Sequence, residues 1–292
     1  MELNLDKIEY GINDNITSID YDKFKCIENS MAITPYFGIG GEFQNSTILH
    51  YPHLANKKRI TYPIYLIKCL FGLKKYFSTI VVSCQNQKDF NDLLNIRNIF
   101  NIDFEILMLK TESQFLPIDT LISIQNRQNI NQYNYIYYTE CDQIPFINTD
   151  LALNAIDKNT VLVPHRLVRK FINEDITPKQ FVTNATAKFD NNIYFVCCLH
   201  YAISMDNNFT IHTDEGGAYG AAYLCTTDCF KDVNYIHSKS CPCEYASHSV
   251  FQSDKIMIKT KNIYDAFTVH LSGINEHLKL NNLDIIDYPN LW

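Results

Sequence analysis

Apolar residues along this chain alternate between two spacings, and each change of spacing marks an element. Met31-Ala32-Ile33-Thr34 is a short run halted by Pro35 and by Gly38, Gly40 and Gly41, which predicts a buried strand. From Arg59 to Leu73, the side chains of Tyr62, Ile64, Tyr65, Ile67, Leu70 and Leu73 recur at helical spacing. Ser78 to Cys84 is rich in β-branched residues and reads as a strand, Asp89 to Phe100 as a helix, and Phe104 to Leu109 as a strand. A helix over Ile118 to Asn129 then precedes Tyr135-Ile136-Tyr137-Tyr138-Thr139, an aromatic strand that stops at Glu140-Cys141-Asp142.

Strands alternating with helices at this spacing imply right-handed βαβ units and a parallel sheet. The expected fold class is therefore α/β, a single domain around a Rossmann-like, mostly parallel central sheet. Ligands of such sheets gather beyond the carboxyl ends of the strands. Thr34-Pro35-Tyr36, Cys84-Gln85-Asn86 and Glu140-Cys141-Asp142 all fall there. Past residue 150 the alternation loses regularity, which predicts shorter strands and loops in the same domain.

Composition narrows the function classes. A chain of 292 residues with 46% hydrophobic residues can build a large core. The net charge of −7 and the lack of any Lys/Arg-rich block argue against nucleic acid as a partner. No apolar stretch reaches membrane-spanning length, and Met1-Glu2-Leu3-Asn4-Leu5-Asp6-Lys7 does not open a signal segment, so a soluble, cytoplasmic protein is expected. Of ten cysteines, most stand singly in apolar contexts. Cys225, Cys229, Cys241 and Cys243 cluster, but Cys241-Pro242-Cys243 is tighter than a usual zinc knuckle; plain buried thiols rank ahead of zinc or a disulfide.

Candidate chemistry starts at the acidic triplet. Two carboxylates at i and i+2 at a strand end can converge on one hard cation, and such a cation neutralises a diphosphate. The competing reading is an ordinary acidic turn. Downstream, His212-Thr213-Asp214-Glu215-Gly216-Gly217-Ala218 places polar residues before glycines that allow close backbone approach. Glu244 follows Pro242 at the expected first turn of a helix, where a carboxylate also serves as a cap. His270 ends an apolar strand ahead of Ser272-Gly273.

Taken in order, a carboxylate-x-Asp triplet on a central strand, a Gly-Gly-Ala segment, an acid opening a late helix and a C-terminal His-x-x-Gly resemble nucleotide-sugar glycosyltransferases of the GT-A fold. The triplet here is Glu140-x-Asp142 where that family usually has Asp-x-Asp. The resemblance implies residues 1–30 as a lead-in, 31–143 as a nucleotide-binding half and 144–292 as an acceptor-side half. It implies a metal, Mn²⁺ or Mg²⁺, on Glu140, Asp142 and His270. Thr34, Pro35 and Tyr36 would hold the nucleoside, Arg59 would reach a phosphate, and Cys141 and Gln143 would flank the donor. Glu244 would carry the chemistry, with Asp214 as the other candidate, and Glu215, Gly216 and Gly217 would face the acceptor. The implied reaction moves a sugar, a hexose favoured, from a UDP-sugar to a glycan, protein or small-molecule acceptor. A non-catalytic nucleotide-sugar-binding protein ranks second, and a sugar nucleotidyltransferase third, because Gly38 to Glu42 lacks basic partners for a triphosphate.

Overall fold

A computed structural model describes residues 25–36, 65–67, 69–109, 116–169, 209–212, 222–236, 249–250, 253–260 and 265–270. The first half runs β1 (Ile27–Pro35), helical residues 65–67 and 69–76, β2 (Phe77–Cys84), α1 (Gln87–Phe100), β3 (Glu105–Met108), α2 (Leu116–Gln125) and β4 (Tyr135–Thr139). It continues through β5 (Gln143–Ile147), α3 (Thr149–Ala155), β6 (Thr160–Leu162), β7 (His165–Arg169) and β8 (Phe209–His212). The last described elements are β9 (Ala222–Thr226), α4 (Thr227–Asp232), β10 (Ile256–Ile258) and β11 (Ala266–His270).

Seven strands form one mixed sheet in the order β10-β6-β9-β4-β1-β2-β3. β1 runs parallel to β2 and β4, β2 to β3, and β10 to β6; β9 is antiparallel to both of its neighbours, β4 and β6. The α/β class and the mainly parallel central sheet are as the sequence pattern predicts. From β1 the chain moves outward through β2 and β3, then returns to place β4 on β1's other side. That reversal is the position at which doubly wound sheets open a ligand crevice.

Side-chain alternation divides the interior into two cores. Met31, Ile33, Val81, Ile136, Tyr138 and Tyr223 face α2 and α4, packing with Ile118, Leu121, Ile124 and Phe230. Ala32, Val82, Tyr137 and Leu224 point to the opposite side, against Leu70, Leu73, Leu93 and Ile96. A second sheet, in the order β5-β11-β7-β8, joins that side through Ile144, Phe146 and Phe267. Central strands buried on both faces read as unbroken apolar runs, which is why β2 and β4 are so plain in the sequence.

The element boundaries differ from expectation where polar residues interrupt the pattern. β1 starts at Ile27 rather than Met31, because Glu28 and Asn29 are exposed while Ser30 is buried within the strand. Asn29 has a φ of 50°, and the pairing with β2 shifts register between Ile27 and Met31. Asn tolerates this left-handed geometry better than most residues. The helix expected over Ile118 to Asn129 stops at Gln125, whose side-chain Nε2 donates to the Phe230 carbonyl at 2.7 Å and the Val233 carbonyl at 2.9 Å. The expected helix from Arg59 is described from residue 65 and runs on to 76, directly into β2.

Candidate active site at the sheet switch point

Two parallel strand ends meet where the sheet order reverses. On β1, Thr34 pairs with Val82 and Pro35 with Ser83, and the Tyr36 amide donates to the Ser83 carbonyl at 2.8 Å. Thr34 and Tyr36 are fully buried. The Tyr36 hydroxyl has no hydrogen-bond partner among the described residues. Burial pushes this phenol well above its usual range, and the nearby Asp92 and Asp89 carboxylates push it further.

β4 does not continue into a helix. It ends at Thr139, and the Gln143 amide donates back to the Glu140 carbonyl at 3.3 Å, closing a four-residue turn that leads straight into β5. Glu140 and Asp142 therefore sit in a tight turn between the two sheets, not on one face of a regular strand. Asp142 is 7% exposed and Glu140 is half-buried. Cys141 is a buried core member. Gln143 is buried, and its side-chain carbonyl accepts from the Thr268 hydroxyl at 2.7 Å, tying β5 to β11.

The register of β11 supplies the main long-range link. In the antiparallel β5–β11 pair, Gln143 lies opposite His270. Paired residues of such a ladder have Cα atoms roughly 4.5–5.5 Å apart. The backbone of His270 thus stands beside the residue that follows Asp142. Among the described residues no three His, Cys, Asp or Glu side chains form a cluster able to hold a metal. The His270 side chain is outside those described.

Other candidates stand at the edge of what is described. Arg59, Asp214, Glu215, Gly216, Gly217 and Glu244 lie outside the described residues, as do Cys241 and Cys243. The strand that follows the Gly-Gly-Ala segment begins at Ala222, which pairs with Thr139 at the same end of the sheet. Cys225 and Cys229 are buried free thiols. The hydrogen bond between them holds Cys229 below the ordinary thiol range, with Lys255 assisting.

The helix itself was expected, but sequence reasoning missed that its face bearing Cys69, Gly72 and Tyr76 packs against the β4–β5 segment. Its signal was Gly72, an isolated glycine within a helical pattern, which often marks close packing. No helix among the described residues is long and apolar enough to cross a membrane.

No family model matches the chain, and no curated protein matches it in sequence. Among solved structures, the chain is similar to the inositol-1-phosphate CTP transferase of T. maritima, with a TM-score of 0.39 and 13% identity over 85% of this chain and 94% of that one. It is similar to residues 1–349 of S. aureus TarS, with a TM-score of 0.40 and 12% identity over 85% of this chain and 62% of that one. A third similar structure is described as a glucose-1-phosphate thymidylyltransferase from Bacillus anthracis in complex with a sucrose, with a TM-score of 0.42 and 10% identity over 88% of this chain and 97% of that one.

Proposed function

We propose that this protein is a divalent-metal-dependent glycosyltransferase that moves a sugar from a nucleotide-diphosphate donor, a UDP-sugar favoured, to an acceptor hydroxyl on a glycan, protein or small molecule. One observation carries the proposal. The acidic turn Glu140–Gln143 follows β4 at the reversal of sheet order, and the pairing of β11 sets His270 opposite Gln143. Two carboxylates and an imidazole suit Mn²⁺, and Mg²⁺ with more water ligands. Glu140, Asp142 and His270 would hold the ion, which supplies charge neutralisation to a departing nucleoside diphosphate.

The remaining roles belong to the chain. Thr34, Pro35 and Tyr36 border the nucleoside at the end of β1, and Arg59 reaches a phosphate. Glu215, Gly216 and Gly217 form the acceptor floor before β9. Glu244 takes the proton of the acceptor hydroxyl when the anomeric centre is inverted, with Asp214 as the other carboxylate for that task.

The test is a thermal-shift screen of UDP-, GDP- and CMP-sugars with and without Mn²⁺, followed by assays of nucleoside diphosphate release. The expected result is a Mn²⁺-dependent shift with UDP-sugars and release of UDP. Binding without turnover would favour a non-catalytic binding protein. Pyrophosphate release from a nucleoside triphosphate and a sugar 1-phosphate would instead establish nucleotidyl transfer. No shift with any nucleotide sugar would overturn the proposal.

A further inference from the structure

The turn that carries Glu140 and Asp142 is braced by one face of the helix ending at residue 76. Cys69, Gly72 and Tyr76 are three and four residues apart, so they stack along that face. All three are buried, and each meets the β4–β5 segment at a different point. The Cys69 thiol donates to the Glu140 carbonyl at 3.9 Å. At Gly72 the helix backbone comes so near to β5 that an added Cβ would lie 3.0 Å from Pro145 Cδ and 3.1 Å from Ile144 Cγ2. Farther along, the Ile147 amide donates to the Tyr76 hydroxyl at 3.0 Å.

We infer that this helix face is the positioning element of the acidic turn, and that Cys69 and Gly72 are positioning residues for a cation held by Glu140 and Asp142. The inference rests on the metal-dependent reading above. Its basis is the convergence of contacts on one short segment. The Glu140 carbonyl also accepts from the Gln143 amide and the Thr139 hydroxyl, each at 3.3 Å, so strand, turn and helix all fix the same oxygen. Both carboxylates project from that turn, and β5 behind it cannot shift toward the helix without closing on Gly72. Metal ligands tolerate displacements of only about 0.2 Å from ideal distances. An alanine at 72 forces its neighbours to give by a comparable amount. Loss of the Cys69 donor instead frees one of the three anchors on the carbonyl.

The experiment compares Cys69→Ala, Cys69→Ser, Gly72→Ala and Asp142→Ala with the unaltered full chain. Mn²⁺ binding is titrated by electron paramagnetic resonance, and exchange of the Gln143 amide is followed in metal-free protein. Cys69→Ala and Gly72→Ala should each weaken Mn²⁺ binding about tenfold, the scale seen when groups behind metal ligands are removed. Cys69→Ser keeps a donor and should stay within roughly threefold of the unaltered chain. The Gln143 amide should exchange faster in Cys69→Ala without any metal. If the Cys69 and Gly72 variants bind Mn²⁺ normally while Asp142→Ala does not, the positioning inference falls and the metal reading stands. If Asp142→Ala binds like the unaltered chain, the metal reading falls. Unchanged Gln143 exchange in Cys69→Ala overturns the positioning role whatever the metal result.

Discussion

The carboxyl ends of β2 and β4 both present acidic residues at one edge of the sheet, yet the acids are spent differently. After β2 a helix follows at once. Asn86 caps it by accepting from the Asp89 amide at 2.8 Å, and its own side-chain amide donates to the Asp89 carboxylate at 3.0 Å. Asp92 pairs one turn on with Lys88 at 3.1 Å. Asp89 is absorbed in the first turn of α1, where the helix dipole favours it, while Asp92 is held by Lys88. After β4 no helix follows the turn. The next one, α3, begins at Thr149 and is capped by Asn148, which accepts from the Leu151 amide. Glu140 and Asp142 therefore do not open a helix. The β2 end absorbs an acid in the first turn of a helix, and the β4 end offers no such turn.

Removing Asp142 is the severest test of this contrast. Asp142→Ala should abolish Mn²⁺-dependent binding of a nucleotide sugar while the protein stays folded, as isothermal titration with and without Mn²⁺ would read. Retained metal-dependent binding would put Asp142 in the same class as Asp89.

Glu244 sharpens the comparison because its sequence context, just after Pro242, fits either class. As a general base it would contribute about 10²–10⁴ in rate with little effect on ground-state binding. Glu244→Gln should accordingly bind donor and Mn²⁺ nearly as well as the unaltered chain while transfer and donor hydrolysis collapse. Normal turnover would make Glu244 a cap and move the role to Asp214.

How far the sequence disclosed these distinctions depended on whether a feature was local. β2, β4 and α1 were plain because central strands and an amphipathic helix write their burial into adjacent residues. The start of β1 was hidden by Glu28 and Asn29, polar residues at a register shift. The acidic triplet was legible, but its setting was not. Nothing near Asp142 announces that Gln143 opens a strand whose partner is 127 positions away, since 270 − 143 = 127. Nor does Cys69 reveal that its thiol meets Glu140. The same non-locality hid the antiparallel β9, whose apolar run looks like any other buried strand. Packing of distant segments decides such features, and period and composition do not record it.

The smallest effect is expected at the β2 end. Asn86 accepts one otherwise unpaired amide of the first turn of α1 and orients Asp89, so Asn86→Ala removes both contacts. Loss of a side-chain cap typically costs about 1 kcal/mol. Asn86→Ala should therefore lower the free energy of unfolding by roughly that amount in urea denaturation. Mn²⁺ binding at the β4 end should stay unchanged, because the two strand ends use their acids independently. A variant that loses Mn²⁺ affinity along with stability would show that the β2 end contributes to the cation site. The distinction between acids absorbed in a helix start and acids proposed for a cation would then fail at the edge of the sheet from which it was drawn.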